Sequence, residues 1–282
     1  MDTRVRGVRA VAATLLAVIA LAAAAVGPAA AITDGSLDGN GHPYVGLMVA
    51  LDATNHPLWR CSGTLLSSTV FITAGHCVAS PAAHAELFFD AGPIPFGNLV
   101  GTDCTGFTGY PCTGDVGGDV HENPGWNPDA FFLDDVGIVT LDSPWVVGTY
   151  GQLPGVGSLD ALHTGHGTTF TSVGYGRQRS FPTAAAFLNE AARTRYVANP
   201  WLLQINDNFV GDFALLLSNN ASTGGTCFGD SGGPNFIGDS NVVGGVTSFG
   251  INGNCAGTGG VYRVDRADDL NFLYGAFGKY LK

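Results

Sequence analysis

In Gly229-Asp230-Ser231-Gly232-Gly233-Pro234, three glycines crowd an acid and a serine. Glycine tolerates backbone conformations closed to other residues, so such a run can turn sharply and aim several amide N–H groups at one point. A serine hydroxyl is a weak nucleophile by itself. It needs a base to take its proton and a third group to hold that base in place, and candidates for both lie upstream.

The base candidate is His76 in Phe71-Ile72-Thr73-Ala74-Gly75-His76-Cys77, where an apolar run ends in a Gly-His step and a cysteine can pin the histidine's backbone. The orienting acid is Asp135 in Asp134-Asp135-Val136-Gly137-Ile138-Val139-Thr140-Leu141. A carboxylate heading an apolar run is drawn inward, and a buried carboxylate needs a partner.

Taken in the order His76, Asp135, Ser231, these segments resemble the chymotrypsin-like (trypsin-fold) serine endopeptidases, whose marks are T-A-G-H-C, D-I-A-L-L and G-D-S-G-G-P. The first and last match letter for letter. The resemblance runs from Ile32 to the C-terminus. It takes in Thr247-Ser248-Phe249-Gly250 for the family's S-W-G strand and Gly260-Val261-Tyr262-Arg263-Val264 for its G-V-Y-x-R-V. Departures are Thr33-Asp34 in the I-V-G-G motif, Phe249 for tryptophan, and Gly174-Tyr175-Gly176 where G-W-G is common.

The resemblance implies an all-β fold of two packed six-stranded antiparallel β-barrels with a C-terminal α-helix. Barrel one is expected at about 32–143, a connector at about 144–167, and barrel two with the helix at about 168–282. It also implies roles. His76 is the base, Asp135 its support, and Ser231 the nucleophile, with an oxyanion hole from the N–H groups of Gly229 and Ser231. Ser248 donates to Asp135. Ile32, freed as a new N-terminus, pairs with Asp230. Gly225 floors the substrate pocket and Gly250 and Gly260 leave its walls open, so a large apolar or aromatic side chain is expected before the cut. Disulfides are implied between Cys61 and Cys77 and between Cys227 and Cys255, which leaves Cys104 with Cys112.

Composition agrees with an exported all-β protein. Arg4, Arg6 and Arg9 precede an apolar stretch from Val11 to Val26, and Ala29-Ala30-Ala31 offers small residues for cleavage, so 1–31 reads as a signal peptide. The apolar stretch is shorter than the roughly 18 residues a membrane span needs. Removing Asp2 and three arginines from 12 basic and 23 acidic residues leaves 9 and 22, which disfavours nucleic acid and anionic membranes as partners. An even number of cysteines in a secreted chain reads as disulfides. Short β-rich runs at Tyr44 to Leu51, Leu65 to Thr73, Val136 to Leu141 and Val242 to Ser248 sit among frequent glycines. Leu270, Leu273, Tyr274 and Phe277 fall at helical spacing, and that helix is expected to dock on the second barrel.

Partners are expected to be protein or peptide substrates and a protein inhibitor, with no membrane contact after leader removal, for an extracellular monomer. No cofactor and no metal is expected. His42, His56, His84, His121, His163 and His166 read as surface or loop residues, and Asp115, Asp119 and Glu122 fit no calcium loop. Asn220-Ala221-Ser222 is a glycosylation acceptor only where a compartment glycosylates. The other class of function in view is a catalytically silent, protease-fold binding protein. Such relatives usually lose a member of the triad.

Overall fold

The computed structural model describes residues 32–94, 113–178 and 194–281; the leader and the Cys104–Cys112 pair lie outside the described residues. After a two-residue strand β1 (Ser36–Leu37) come β2 (Val45–Leu51), β3 (Pro57–Leu65) and β4 (Val70–Thr73). A short helix α1 (Gly75–Val78) precedes β5 (His84–Phe88), β6 (Val116–Glu122) and β7 (Gly137–Leu141). These close into a barrel in the order β2-β3-β4-β7-β6-β5.

The second half contains β8 (Gly165–Gly174), β9 (Tyr196–Ala198), β10 (Trp201–Asp207), β11 (Gly211–Asn219), β12 (Pro234–Ile237), β13 (Val243–Gly250) and β14 (Gly257–Arg263). Strand β8 pairs with both β10 and β12, which closes β8-β10-β11-β14-β13-β12 into a second six-stranded barrel. β9 continues from the end of β8, and β1 pairs with β9. All of these pairings are antiparallel, as expected.

The pattern of burial explains why the strands sit where they do. β2 is buried along its whole length. Met48 and Ala50 face the first barrel's core, while Leu47, Val49 and Leu51 pack with Tyr175, Phe88 and Ile94, so both faces of the strand are covered. The second barrel's core is built from Phe170, Leu202, Leu215, Leu217 and Val261. A buried Arg195 ties the two halves together, donating to Asp38 Oδ2 at 2.7 Å and to the carbonyls of Val45 and Phe89 at 3.0 Å.

Two elements differ from the sequence reading. The apolar run from Leu65 to Thr73 is two strands. Leu66 and Ser67 donate N–H to the Val70 carbonyl, and Ser67 Oγ accepts the Thr69 N–H, closing a hairpin that hydroxyl-bearing residues favour. The C-terminal helix α2 (Ala267–Phe277) buries Leu270, Leu273 and Phe277 as expected. It docks on both barrels, however. Asp269 accepts from Tyr262 Oη of β14 (2.9 Å) and from Asn123 just past β6 (3.2 Å), and Phe277 packs against His121 of β6 with ring centroids 5.2 Å apart. Burial pushes the Asp269 carboxyl up to about 7. No helix among the described residues is long and apolar enough to cross a membrane.

Candidate active site

β4 delivers the chain through Ala74 into α1, where His76 is held from three sides. Cys77 is bonded to Cys61 of β3, and Trp59 of the same strand donates its indole N–H to the Cys77 carbonyl at 2.8 Å. The His76 N–H donates to Asp135 Oδ1 at 2.8 Å. Its ring Nδ1 then lies 3.1 and 3.0 Å from the two oxygens of the same carboxylate. An ionised carboxylate only accepts, so the ring proton is assigned to Nδ1 and Nε2 carries the free lone pair.

Asp135 is fully buried at the head of β7, as its apolar neighbours required. It also receives the hydroxyl of Ser248 at 2.5 Å, so the second barrel contributes a donor to a carboxylate of the first. Asp134, with φ of 51°, makes the turn that aims Asp135 inward. Hydrogen bonds to a charged group contribute about 1.5–3 kcal/mol. Ser248→Ala is therefore expected to lower kcat on a peptide substrate about tenfold or more, with KM little changed, in steady-state kinetics.

Ser231 occupies the turn between Cys227 and β12. Its carbonyl accepts the N–H of Ser62 at 2.7 Å, and Gly232 N–H donates to the Thr247 carbonyl at 2.7 Å. Gly232 has φ of 77°, and a Cβ there would stand 2.7 Å from the Ala74 nitrogen, two residues before His76. The serine's loop thus packs directly against the turn that carries the histidine. Among the described residues Ser231 Oγ and His76 Nε2 make no hydrogen bond.

The same loop leaves two backbone donors free. Gly229 has φ of 97°, and its carbonyl is turned away to accept from Ser62 Oγ at 2.9 Å. Ser62 Oγ also accepts the Tyr175 N–H at 3.1 Å. Among the described residues the N–H groups of Gly229 and Ser231 donate to no protein acceptor. Ser62 is the residue that sequence reading missed: it follows Cys61 with no pattern of its own, and only folding brings it to Gly229.

Asp230 is buried beneath this loop. It accepts the N–H of Gly176 at 2.7 Å and of Cys227 at 2.9 Å. Burial pushes its carboxyl up to about 7, and those two donors and the Arg60 charge only partly oppose the rise. In the uncleaved chain the nitrogen of Ile32 is a peptide amide. The Ile32 side chain is itself buried, packed with Tyr196 and Ala198.

A pocket of about 260 Å³ opens beside Ser231, lined by Phe131, Thr226, Phe228, Phe249 and Thr258, with Gly250 at its wall. Among the described residues no charged side chain lines it. Gly225 stands behind the lining, bridged to Thr33 and packed against Asn219, while Gly260 lies under the Phe249 ring. Thr226 and Thr258 thus face the space in their place. Outside the mouth, Phe132 contacts Phe131, Phe213 and Phe249 with centroids 5.7, 5.9 and 6.4 Å away, and Phe131 stands edge-on to His76 at 6.3 Å. These rings form an aromatic shelf leading to the serine. The Cys227–Cys255 disulfide braces the pocket from behind.

Among solved structures the chain is similar to HL collagenase, with a TM-score of 0.64 and 20% identity, covering 88% of this chain and 99% of that one. It is also similar to human heparin binding protein, with a TM-score of 0.59 and 18% identity over 85% of this chain and 94% of that one. Both likenesses are likenesses of fold. The family model described as Trypsin matches residues 38–269, and on that match, which spans most of the sequence, this chain belongs to the trypsin family.

Proposed function

We propose that this chain is a secreted serine endopeptidase that cleaves peptide bonds through an acyl-enzyme. The observation that carries the reading is a buried Asp135 gripping both the backbone and ring of His76, beside a serine loop whose two N–H groups have no acceptor among the described residues. His76 Nε2 takes the Ser231 proton as Oγ attacks the carbonyl carbon, then returns it to the departing amine. Water repeats the cycle on the acyl group. The hydroxyl and imidazole draw into bonding distance on the bound substrate, as catalytic pairs commonly do. The developing oxyanion is met by the N–H groups of Gly229 and Ser231, each such donor contributing about 3 kcal/mol.

The neutral, ring-lined pocket favours a large apolar or aromatic side chain before the cut, and the aromatic shelf favours apolar residues upstream of it. Profiling a peptide library by mass spectrometry is expected to show Phe, Tyr, Leu or Met before the cleaved bond. Strong selection for Lys or Arg there would overturn the pocket assignment, and absence of cleavage across the library would overturn the peptidase.

Residues 1–31 act as the export signal in this reading, and cleavage after Ala31 frees Ile32 to pair with Asp230. Export also suits the two described disulfides. A silent binding protein is less well supported, because the chain keeps all three triad residues and His76 is bonded to Asp135. Polyanion binding is further opposed by the 22 acidic against 9 basic residues of the exported chain.

A further inference from the structure

On the outer face of the first barrel, three neighbouring strands bring metal-ligating side chains to one place. β5 pairs with β6 so that His84 stands opposite Asp119 and Glu86 opposite Gly117. On the other side of β6, the Asp142 N–H donates to the Gly117 carbonyl at 2.9 Å, which sets Asp142 beside the same glycine. One ring nitrogen of His84 and one carboxylate oxygen from each of Asp119 and Asp142 all lie within 4.8 Å of one another.

These groups gather round the imidazole without hydrogen-bonding to it, Glu86 and Asp142 nearest Nε2 and Asp119 nearest Nδ1. His84 Nε2 is 3.6 Å from Glu86 Oε1 and 3.9 Å from Asp142 Oδ2, and Nδ1 is 3.8 Å from Asp119 Oδ1. Ordinary hydrogen bonds would be about 2.7–3.2 Å, whereas ligand atoms on a tetrahedral ion with bonds near 2.1 Å stand about 3.4 Å apart. The centre of the group is kept open by the one residue that could fill it. A Cβ on Gly117 would lie 2.7 Å from both His84 Nε2 and Asp142 Oδ2. Glu86 is preset as well, because its other oxygen accepts the Gly114 N–H at 2.8 Å and leaves Oε1 facing the imidazole.

We propose that His84, Asp119 and Asp142, with Glu86 beside them, bind a divalent first-row transition ion of the zinc class that clips β5, β6 and β7 together. The imidazole selects this class over calcium and magnesium, which take oxygen ligands. The ion also offsets three carboxylates that otherwise repel one another in an already acidic chain. The site is structural and separate from the serine, and it holds whether or not the chain is a peptidase. Its ligands come from residues 84, 86, 119 and 142, so no linear spacing announces it.

The test is calorimetric titration of zinc chloride into chelator-stripped protein at neutral pH, paired with melting curves with and without zinc. One equivalent is expected to bind and to raise the melting temperature, with excess calcium failing to displace it. His84→Ala and Asp142→Asn are each expected to weaken binding at least about tenfold. Gly117→Ala, which keeps every ligand but fills the centre, is expected to weaken it too. A His163→Ala, His166→Ala double variant should bind as the parent does. The proposal fails if zinc causes no melting shift, or if affinity survives in His84→Ala. It fails equally if removing His84 destabilises the metal-free protein alone, since the cluster is then a bare ion-pair network.

Discussion

Ser231→Ala is expected to abolish labelling by an active-site fluorophosphonate and to reduce kcat on a peptide substrate by about 10⁶-fold, the loss typical when the nucleophile of such a unit is removed. The effect is large because Ser231 Oγ is the atom that forms the acyl-enzyme in this reading. It should also be specific. Ser231 is half-buried at a loop whose bonds run through its backbone, the carbonyl to Ser62 and the neighbouring N–H to Thr247, so removing Oγ leaves the fold's hydrogen bonds intact. The melting temperature of the variant should match the parent's. A parent protein that takes no probe while folding normally would instead favour the silent binding module.

Release of the ammonium at Ile32 is expected to raise activity by between roughly 10² and 10⁴-fold. An Asp230 that ionises without a partner costs about 3–5 kcal/mol, and it lies directly beneath the loop of Gly229 and Ser231. The pH dependence separates the two forms. In the uncleaved chain Asp230 has its carboxyl raised to about 7, so the folded state holds a proton that the unfolded chain releases near 4. Stability is then greatest below pH 4, declines as pH rises towards 7, and has lost about 4 kcal/mol above it.

In the chain that begins at Ile32 the ammonium favours ionised Asp230, and that decline disappears. The amine's own pKa rises above its free value near 8, so the pair's contribution is complete below 8 and is lost only as pH climbs through the higher value. Melting curves from pH 4 to 10 on both forms, with N-terminal sequencing, test this. Identical profiles would refute the pairing. Asp230→Asn in the chain starting at Ile32 should bring activity down to the uncleaved level.

Much of the candidate site was legible because its motifs are local. A Gly-His-Cys step, an acid heading an apolar run and a glycine-flanked serine each constrain their own few residues, so His76, Asp135 and Ser231 could be named before any contact was seen, whereas Ser248 came from the family resemblance. The strands were legible for the same reason, as alternation and apolar runs mark them. The Leu65 to Thr73 run misled because Ser67, Ser68 and Thr69 are a weak punctuation inside it, and periodicity averages over three residues.

What tertiary structure alone decided lies between elements distant in the chain. Ser62 reaching Gly229, Thr226 and Thr258 facing the pocket in place of Gly225 and Gly260, α2 bridging both barrels, and His84 meeting Asp142 over Gly117 all depend on strand register and barrel closure. Sequence by itself fixed the chemistry available, through residue type and local backbone freedom. Which atoms meet depended on register, because one strand's side chains alternate between core and solvent and a shift of a single residue would exchange the two faces.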